Sequence, residues 1–285
     1  MAGQKEERRI MLLGKTGCGK SSLANTIFGQ TERFETGNSP GSITKECESG
    51  KKEIDGKIIQ LIDTPGFFDT AKRSFELNDE IDSLNKCAPG PHAFLLVLKV
   101  ERYTEHEEGV VKEMIKCFSK DAFNYTTVVF THGDQLNEGT EIKDWIRKSE
   151  ALETLIQKCG GRVHVFDNKY WKNSQDQYRN NQYQVRELLK TIDQTVKNRG
   201  RCYTNGFWQL LVSGYLVIKN HIKGNHVLLA LILGGIVFGG IGGVAVATKM
   251  SMSGVVVSGL AGVVAVAGVV MARDPEAVRS SVKDE

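Results

Sequence analysis

The sequence predicts an α/β fold: a mostly parallel sheet flanked by helices, followed by a C-terminal hydrophobic helical hairpin. Three observations predict it. Over the first two-thirds of the chain, short apolar runs alternate with longer amphipathic stretches, the pattern of strands joined by helical crossovers. A glycine-rich run, Gly14 to Ser21, stands between the first apolar run and the first amphipathic stretch. From Val227 to Ala272 the only charged residue is Lys249.

The elements follow in order. Strands are expected at 9–13, 46–54, 57–62, 93–100, 126–130 and 162–166, and helices at 20–28, 75–85, 104–118, 141–158 and 182–196. Asp55-Gly56 separates the second and third strands and is a two-residue turn signal, so these two form an antiparallel hairpin. Thr104 opens a helix with Glu107 three residues later, which fits a capping box.

Composition sets the class. The chain has 285 residues, 40% hydrophobic and 25% charged, ordinary for a globular core. A net charge of +3 gives no nucleic-acid footprint. Six cysteines stand singly, with no CxxC or Cys/His metal spacing, and read as reduced thiols rather than a disulfide framework. The opening residues are charged and lack both an apolar secretory core and the Met-Gly start of myristoylation. The globular part is therefore expected in the cytoplasm.

The run Gly14-Lys15-Thr16-Gly17-Cys18-Gly19-Lys20-Ser21 fits G-x-x-x-x-G-K-[ST] at every fixed position, between a strand and a helix. Its glycines let successive N–H groups point at phosphates, aided by the positive end of the following helix, which Ser22 continues. Lys20 is placed to neutralise β- and γ-phosphates and Ser21 to ligate Mg²⁺. Asp63-Thr64-Pro65-Gly66 ends the third strand; Asp63 can hold Mg²⁺ through water, and the Gly66 N–H can meet the γ-phosphate. Thr44, with Ser42 as its rival, is the switch hydroxyl for the same metal. At the end of the fifth strand, Thr131-His132-Gly133-Asp134 stands where GTP-binding proteins carry [NT]-K-x-D. Asp134 can accept from guanine N1–H and the 2-amino group, which adenine cannot offer, and the His132 imidazole can stack on the base. Phe166-Asp167-Asn168-Lys169 forms a second wall, with Asn168 as the base contact. The expected ligands are GTP or GDP with Mg²⁺, in a P-loop GTPase-like domain; an ATPase is argued against by Asp134.

These residues resemble the immunity-associated GTPase family (the AIG1-type or GIMAP group, related to septins and plastid import GTPases). The resemblance is carried by Gly14–Ser21 with Ser22-Leu23-Ala24-Asn25, by Asp63–Gly66 with Phe67-Phe68-Asp69, and by a box from Pro89-Gly90-Pro91-His92 to Glu101-Arg102-Tyr103-Thr104. Arg201-Cys202-Tyr203-Thr204-Asn205 is similar too. It implies an AIG1-type GTP-binding domain over 8–205 with GTP-dependent dimerisation or oligomerisation, with itself or with paralogues. Phe67 stands where small GTPases carry a water-positioning Gln, so hydrolysis by one molecule should be slow. Arg102 is either an arginine supplied across a dimer interface or an exposed partner of Glu101 or Glu105.

After a linker helix at 206–226 come apolar segments at 227–247 and 254–272, within a hairpin at 227–272 and before a tail at 273–285. Each is close to the roughly 20 residues that span a bilayer core. Gly235, Gly239 and Gly243, then Gly254, Ser258 and Gly262, make small-residue stripes at i, i+4 spacing. Lys219, Lys223, Arg273, Arg279 and Lys283 flank the pair, which places both ends in the cytoplasm. Membrane lipid is therefore an expected partner, at an endomembrane or lipid-droplet-type surface. A spanning hairpin, a one-leaflet hairpin and a buried glycine-rich hairpin in a soluble oligomer share this pattern.

Overall fold

The structure, a computed structural model, describes residues 5–29, 33–34, 36, 48–64, 86–200 and 202–204. The chain divides into two compact units, Met1–Gln209 and Leu210–Glu285, and every described residue belongs to the first. The expected helix at 75–85, the linker, the hydrophobic hairpin and the tail lie outside the described residues. Among the described residues, no helix is long and apolar enough to cross a membrane.

Among the described residues, six strands, β1 (Glu7–Leu13), β2 (Glu48–Ile54), β3 (Lys57–Asp63), β4 (Ala93–Lys99), β5 (Thr126–Thr131) and β6 (Val163–Val165), form one sheet in the order β2-β3-β1-β4-β5-β6. Among the described residues only β2 runs antiparallel, against β3; every other pair is parallel. Asp55 and Gly56 both have positive φ, 48° and 79°, as a tight hairpin of this hand requires. β4 and β5 are buried along almost their whole length, which is why they read as continuous apolar runs rather than alternating ones.

Among the described residues, five helices cover the sheet: α1 (Lys20–Phe28), α2 (Glu105–Phe118), α3 (Ile142–Ile146), α4 (Glu150–Lys158) and α5 (Asn181–Arg199). Leu23 and Ile27 of α1 and Leu188 and Ile192 of α5 join Ile10, Leu12, Leu95 and Val97 of the central strands in one core. The capping box is present: Thr104 N donates to Glu107 Oε2 at 3.0 Å, and the Thr104 hydroxyl accepts from His106 N. The single helix expected over 141–158 is instead two. Ser149 caps α4 by accepting from Leu152 N, and its side chain competes with the backbone for the turn a continuous helix would need. The separated α3 turns Trp145 edge-on to Phe130, ring centroids 5.6 Å apart.

The Pro89–His92 box and the Cys202–Thr204 stretch, far apart in sequence, meet here. Tyr203 N donates to Pro91 O at 2.8 Å, and its hydroxyl donates to Phe118 O. A Cβ on Gly90 would lie 1.8 Å from Tyr203 O, so only glycine admits this approach. The Tyr203 ring packs edge-on against Phe94 and Tyr125. These two motifs are thus a structural clamp at the end of the sheet where β4 and β5 begin.

Candidate nucleotide site

The loops that follow β1, β4, β5 and β6 gather at the C-terminal edge of the parallel strands, where open α/β sheets bind ligands. The loop from Gly14 to Gly19 leaves β1 with Gly14, Gly17 and Gly19 at φ 153°, 76° and 90°. A Cβ on Gly14 would stand 2.5 Å from Val97 O, so the loop is pressed against β4. Lys20, 7% exposed, folds back and donates to Gly14 O at 3.0 Å and Lys15 O at 3.1 Å. Its ammonium is thereby held inside the curl of the loop, where phosphate oxygens would take the place of the carbonyls. Lys15 differs: its ammonium pairs with Glu101 at 3.1 Å and Glu107 at 2.5 Å, outside the cradle.

The Ser21 hydroxyl donates to Asp63 Oδ2 at 2.5 Å, which joins the first turn of α1 to the end of β3. Asp63 is fully buried and its Oδ1 has no hydrogen-bond partner. Burial pushes its carboxyl up to about 6, against the opposing pull of the Lys20 ammonium and the Ser21 hydrogen bond. An orphaned carboxylate oxygen beside a hydroxyl is a hard-oxygen donor set, and it fits Mg²⁺. Thr44, Ser42, Gly66 and Phe67 lie outside the described residues.

Two turns build the base side. His132 adopts φ 58° and is exposed, with its Nδ1 3.0 Å from the Thr131 hydroxyl. Thr131 also donates to Cys18 O at 2.8 Å, which fastens this turn to the phosphate loop. Gly133 N donates to Phe166 O at 3.0 Å, and the Trp171 ring would stand 2.5 Å from a Cβ on Gly133. Asp134 is exposed, and its backbone N–H donates to Asp167 Oδ2 at 3.4 Å. The other oxygen of Asp167 accepts from Lys169 N at 2.9 Å and from Tyr170 N. Asp167 thus clips both turns together. Desolvation and the neighbouring Asp167 carboxyl raise Asp134 above the usual carboxylate range. Burial pushes Asp167 up as well, but its hydrogen bonds carry it below that range.

Asn168 lies between α1 and the phosphate loop. Its Oδ1 accepts from the Thr26 hydroxyl of α1 at 2.9 Å, and its amide nitrogen lies 3.4 Å from the Cβ position of Gly19. Thr131, Asp167 and Trp171 complete the site, and sequence reasoning does not single them out as site residues; Glu107 stands beside it, paired with Lys15. Thr131 and Asp167 belong to stretches the motifs mark and Trp171 follows closely behind one, whereas Glu107 reads in the sequence only as a cap. Arg102 is exposed and, among the described residues, has no ion pair; Glu101 pairs with Lys15 instead.

Residues 8–218 match the AIG1 family. The chain belongs to the AIG1 family. Among curated relatives of this AIG1 chain, GTPase IMAP family member 8 of Mus musculus is 34% identical over 201 residues, 68% of this chain and 28% of the relative. Immune-associated nucleotide-binding protein 10 of Arabidopsis thaliana is 36% identical over 199 residues, 68% of this chain and 42% of the relative. Number 13 of the same plant series is 33% identical over 203 residues, 70% and 59%. The AIG1 match therefore spans between 28% and 59% of these relatives' lengths. The fold is similar to that of Toc33 from Arabidopsis thaliana in complex with GDP and Mg²⁺, with a TM-score of 0.54 at 20% identity, covering 68% of this chain and 86% of Toc33. A dimerisation-deficient mutant of Toc33 gives 0.53 at 21% identity, with the same coverage.

Proposed function

We propose that this AIG1-family chain is a membrane-anchored guanine-nucleotide-binding protein that hydrolyses GTP slowly alone and faster as a dimer, acting as a switch or scaffold at a cytoplasmic membrane surface. The observation that carries the nucleotide reading is the tether from Thr131 to Cys18 O. It holds the Asp134 turn beside the phosphate loop, which supports the reading that one ligand meets both.

Asp134 accepts the guanine edge, His132 covers one face of the base, and Lys20 balances phosphate charge. Ser21, Asp63 through water and Thr44 are the residues that would hold Mg²⁺, which when bound supplies charge neutralisation across the β- and γ-phosphates. Phe67 offers no amide to orient a water. Arg102, exposed and without an ion pair among the described residues, is the group free to reach a partner's γ-phosphate and offset the charge that develops there. Support for dimer dependence comes from the solved plastid import proteins, whose dimerisation is important for GTPase activity.

GTP turnover measured against protein concentration tests the proposal. The specific rate should rise with concentration, and Arg102→Ala should flatten that rise while GTP affinity is kept. A flat rate would sink dimer-dependent catalysis, and no turnover at any concentration would leave a GTP-bound membrane scaffold, the reading that Phe67 favours. For the anchor, full-length protein should resist carbonate extraction, and truncation after Asn225 should release it; soluble full-length protein would overturn the anchor.

A further inference from the structure

Arg102 stands in a short segment whose two ends are tied to the same ammonium group. On one side, Glu101 pairs with Lys15 of the phosphate loop at 3.1 Å. On the other, Thr104 is bound through its N–H and its hydroxyl to Glu107 Oε2 at 3.0 and 2.6 Å, and Glu107 Oε1 faces the same Lys15 ammonium at 2.5 Å. Glu107 is only 4% exposed, and Oε1 has the ammonium as an ion-pair partner without hydrogen-bond geometry.

A buried carboxylate is costly unless it is paired. Burial alone would raise Glu107, yet the Lys15 ammonium and the Thr104 hydrogen bonds hold it below the usual range. Desolvation would likewise lower Lys15, and the two carboxylates outweigh it and raise it. Both ends of the pair are therefore charged, which a helix cap alone does not require. A neutral glutamine would close the capping box equally well.

We infer that the Glu101–Lys15–Glu107 bridge is a positioning device that fixes the Arg102 segment to the phosphate loop, so that the arginine is presented to a second copy's nucleotide in one orientation. This rests on the trans-arginine reading above. Lys15 and the two glutamates act through Arg102 and need not touch the nucleotide of the partner. Holding a group in its productive place matters because a displacement of about 1 Å can cost roughly 100-fold in rate.

The test uses the full chain and separates the two jobs of Glu107. Glu107→Gln keeps the cap and removes the charge. Its maximal concentration-dependent GTPase rate should fall by roughly 10- to 100-fold, while the dimer dissociation constant with a non-hydrolysable GTP analogue and the GTP affinity stay unchanged. In an Arg102→Ala background, Glu107→Gln should cause no further loss, because both changes remove one interaction. Glu101→Gln, on the exposed arm of the bridge, should give a smaller loss of the same kind and serves if Glu107→Gln fails to fold. Equal losses with and without Arg102 would make the bridge merely structural and overturn the inference. So would a wild-type rise with concentration that Glu107→Gln and Glu101→Gln leave intact. A wild-type rate that does not rise with concentration overturns the trans-arginine reading, and the inference with it.

Discussion

Asp63→Asn should stabilise the nucleotide-free protein while crippling its response to Mg²⁺ and guanine nucleotide. The carboxylate is fully buried, and one of its oxygens has no hydrogen-bond partner. Desolvation moves it from 3.8 to about 6, with the Lys20 charge and the Ser21 hydrogen bond offsetting part of the effect. A displacement of that size corresponds to roughly 3 kcal/mol at neutral pH. The folded state holds this proton more tightly than the unfolded chain, so stability from this group is complete below pH 3.8 and lost as pH rises through about 6. An amide cannot ionise and still accepts from Ser21. Nucleotide-free Asp63→Asn should therefore melt about 6–12 °C above wild type at pH 7.5, and the gap should close towards pH 4. With Mg²⁺ and GDP the order should reverse, because wild type gains ligand-linked stability that the variant cannot. Thermal unfolding of full-length protein in detergent, with chelator and with Mg²⁺–GDP across this pH range, reads every arm. A nucleotide-free variant no more stable than wild type at pH 7.5, or a gap that does not depend on pH, would refute the assignment of Asp63 as a buried carboxylate awaiting a cation.

Asp134→Asn should weaken GTP and GDP at least tenfold and favour xanthine nucleotides, because the guanine donors lose their acceptor; competition against a labelled guanine nucleotide reads this, and ATP competing equally with GTP in wild type would contradict it. Gly90→Ala should destabilise the fold by roughly 1–3 kcal/mol or more, since its Cβ would meet Tyr203 O at 1.8 Å; denaturant unfolding measures the loss, and a neutral result would dissolve the clamp. Ser149→Ala should cost about 1 kcal/mol through loss of the α4 cap, again seen in denaturant midpoints.

Much of this protein is written locally. The phosphate loop is legible because glycine at φ 76° and 90° followed by lysine and a hydroxyl serves one kind of chemistry, and each of those residues sits within eight positions of the others. The β2–β3 turn and the Thr104 cap are legible for the same reason: donor and acceptor lie within three residues. The identity of β4 and β5 follows from continuous apolar runs, since parallel strands are covered on both faces. Ser149 is a local signal too, but an amphipathic pattern on both sides of it conceals the break between α3 and α4.

Tertiary structure alone decided how the site is held. Thr131 reaches Cys18 across 113 residues, Thr26 reaches Asn168 across 142, and Gly90 needs its missing Cβ only because Tyr203 O arrives there. Asp167 joins two turns that no motif connects, and Lys15 of the phosphate loop pairs with acids that follow β4. Residue type states which bonds a side chain can make. Which bond it makes depends on what the folded chain brings within about 3 Å, and that distance is set by sheet order and register rather than by spacing along the sequence.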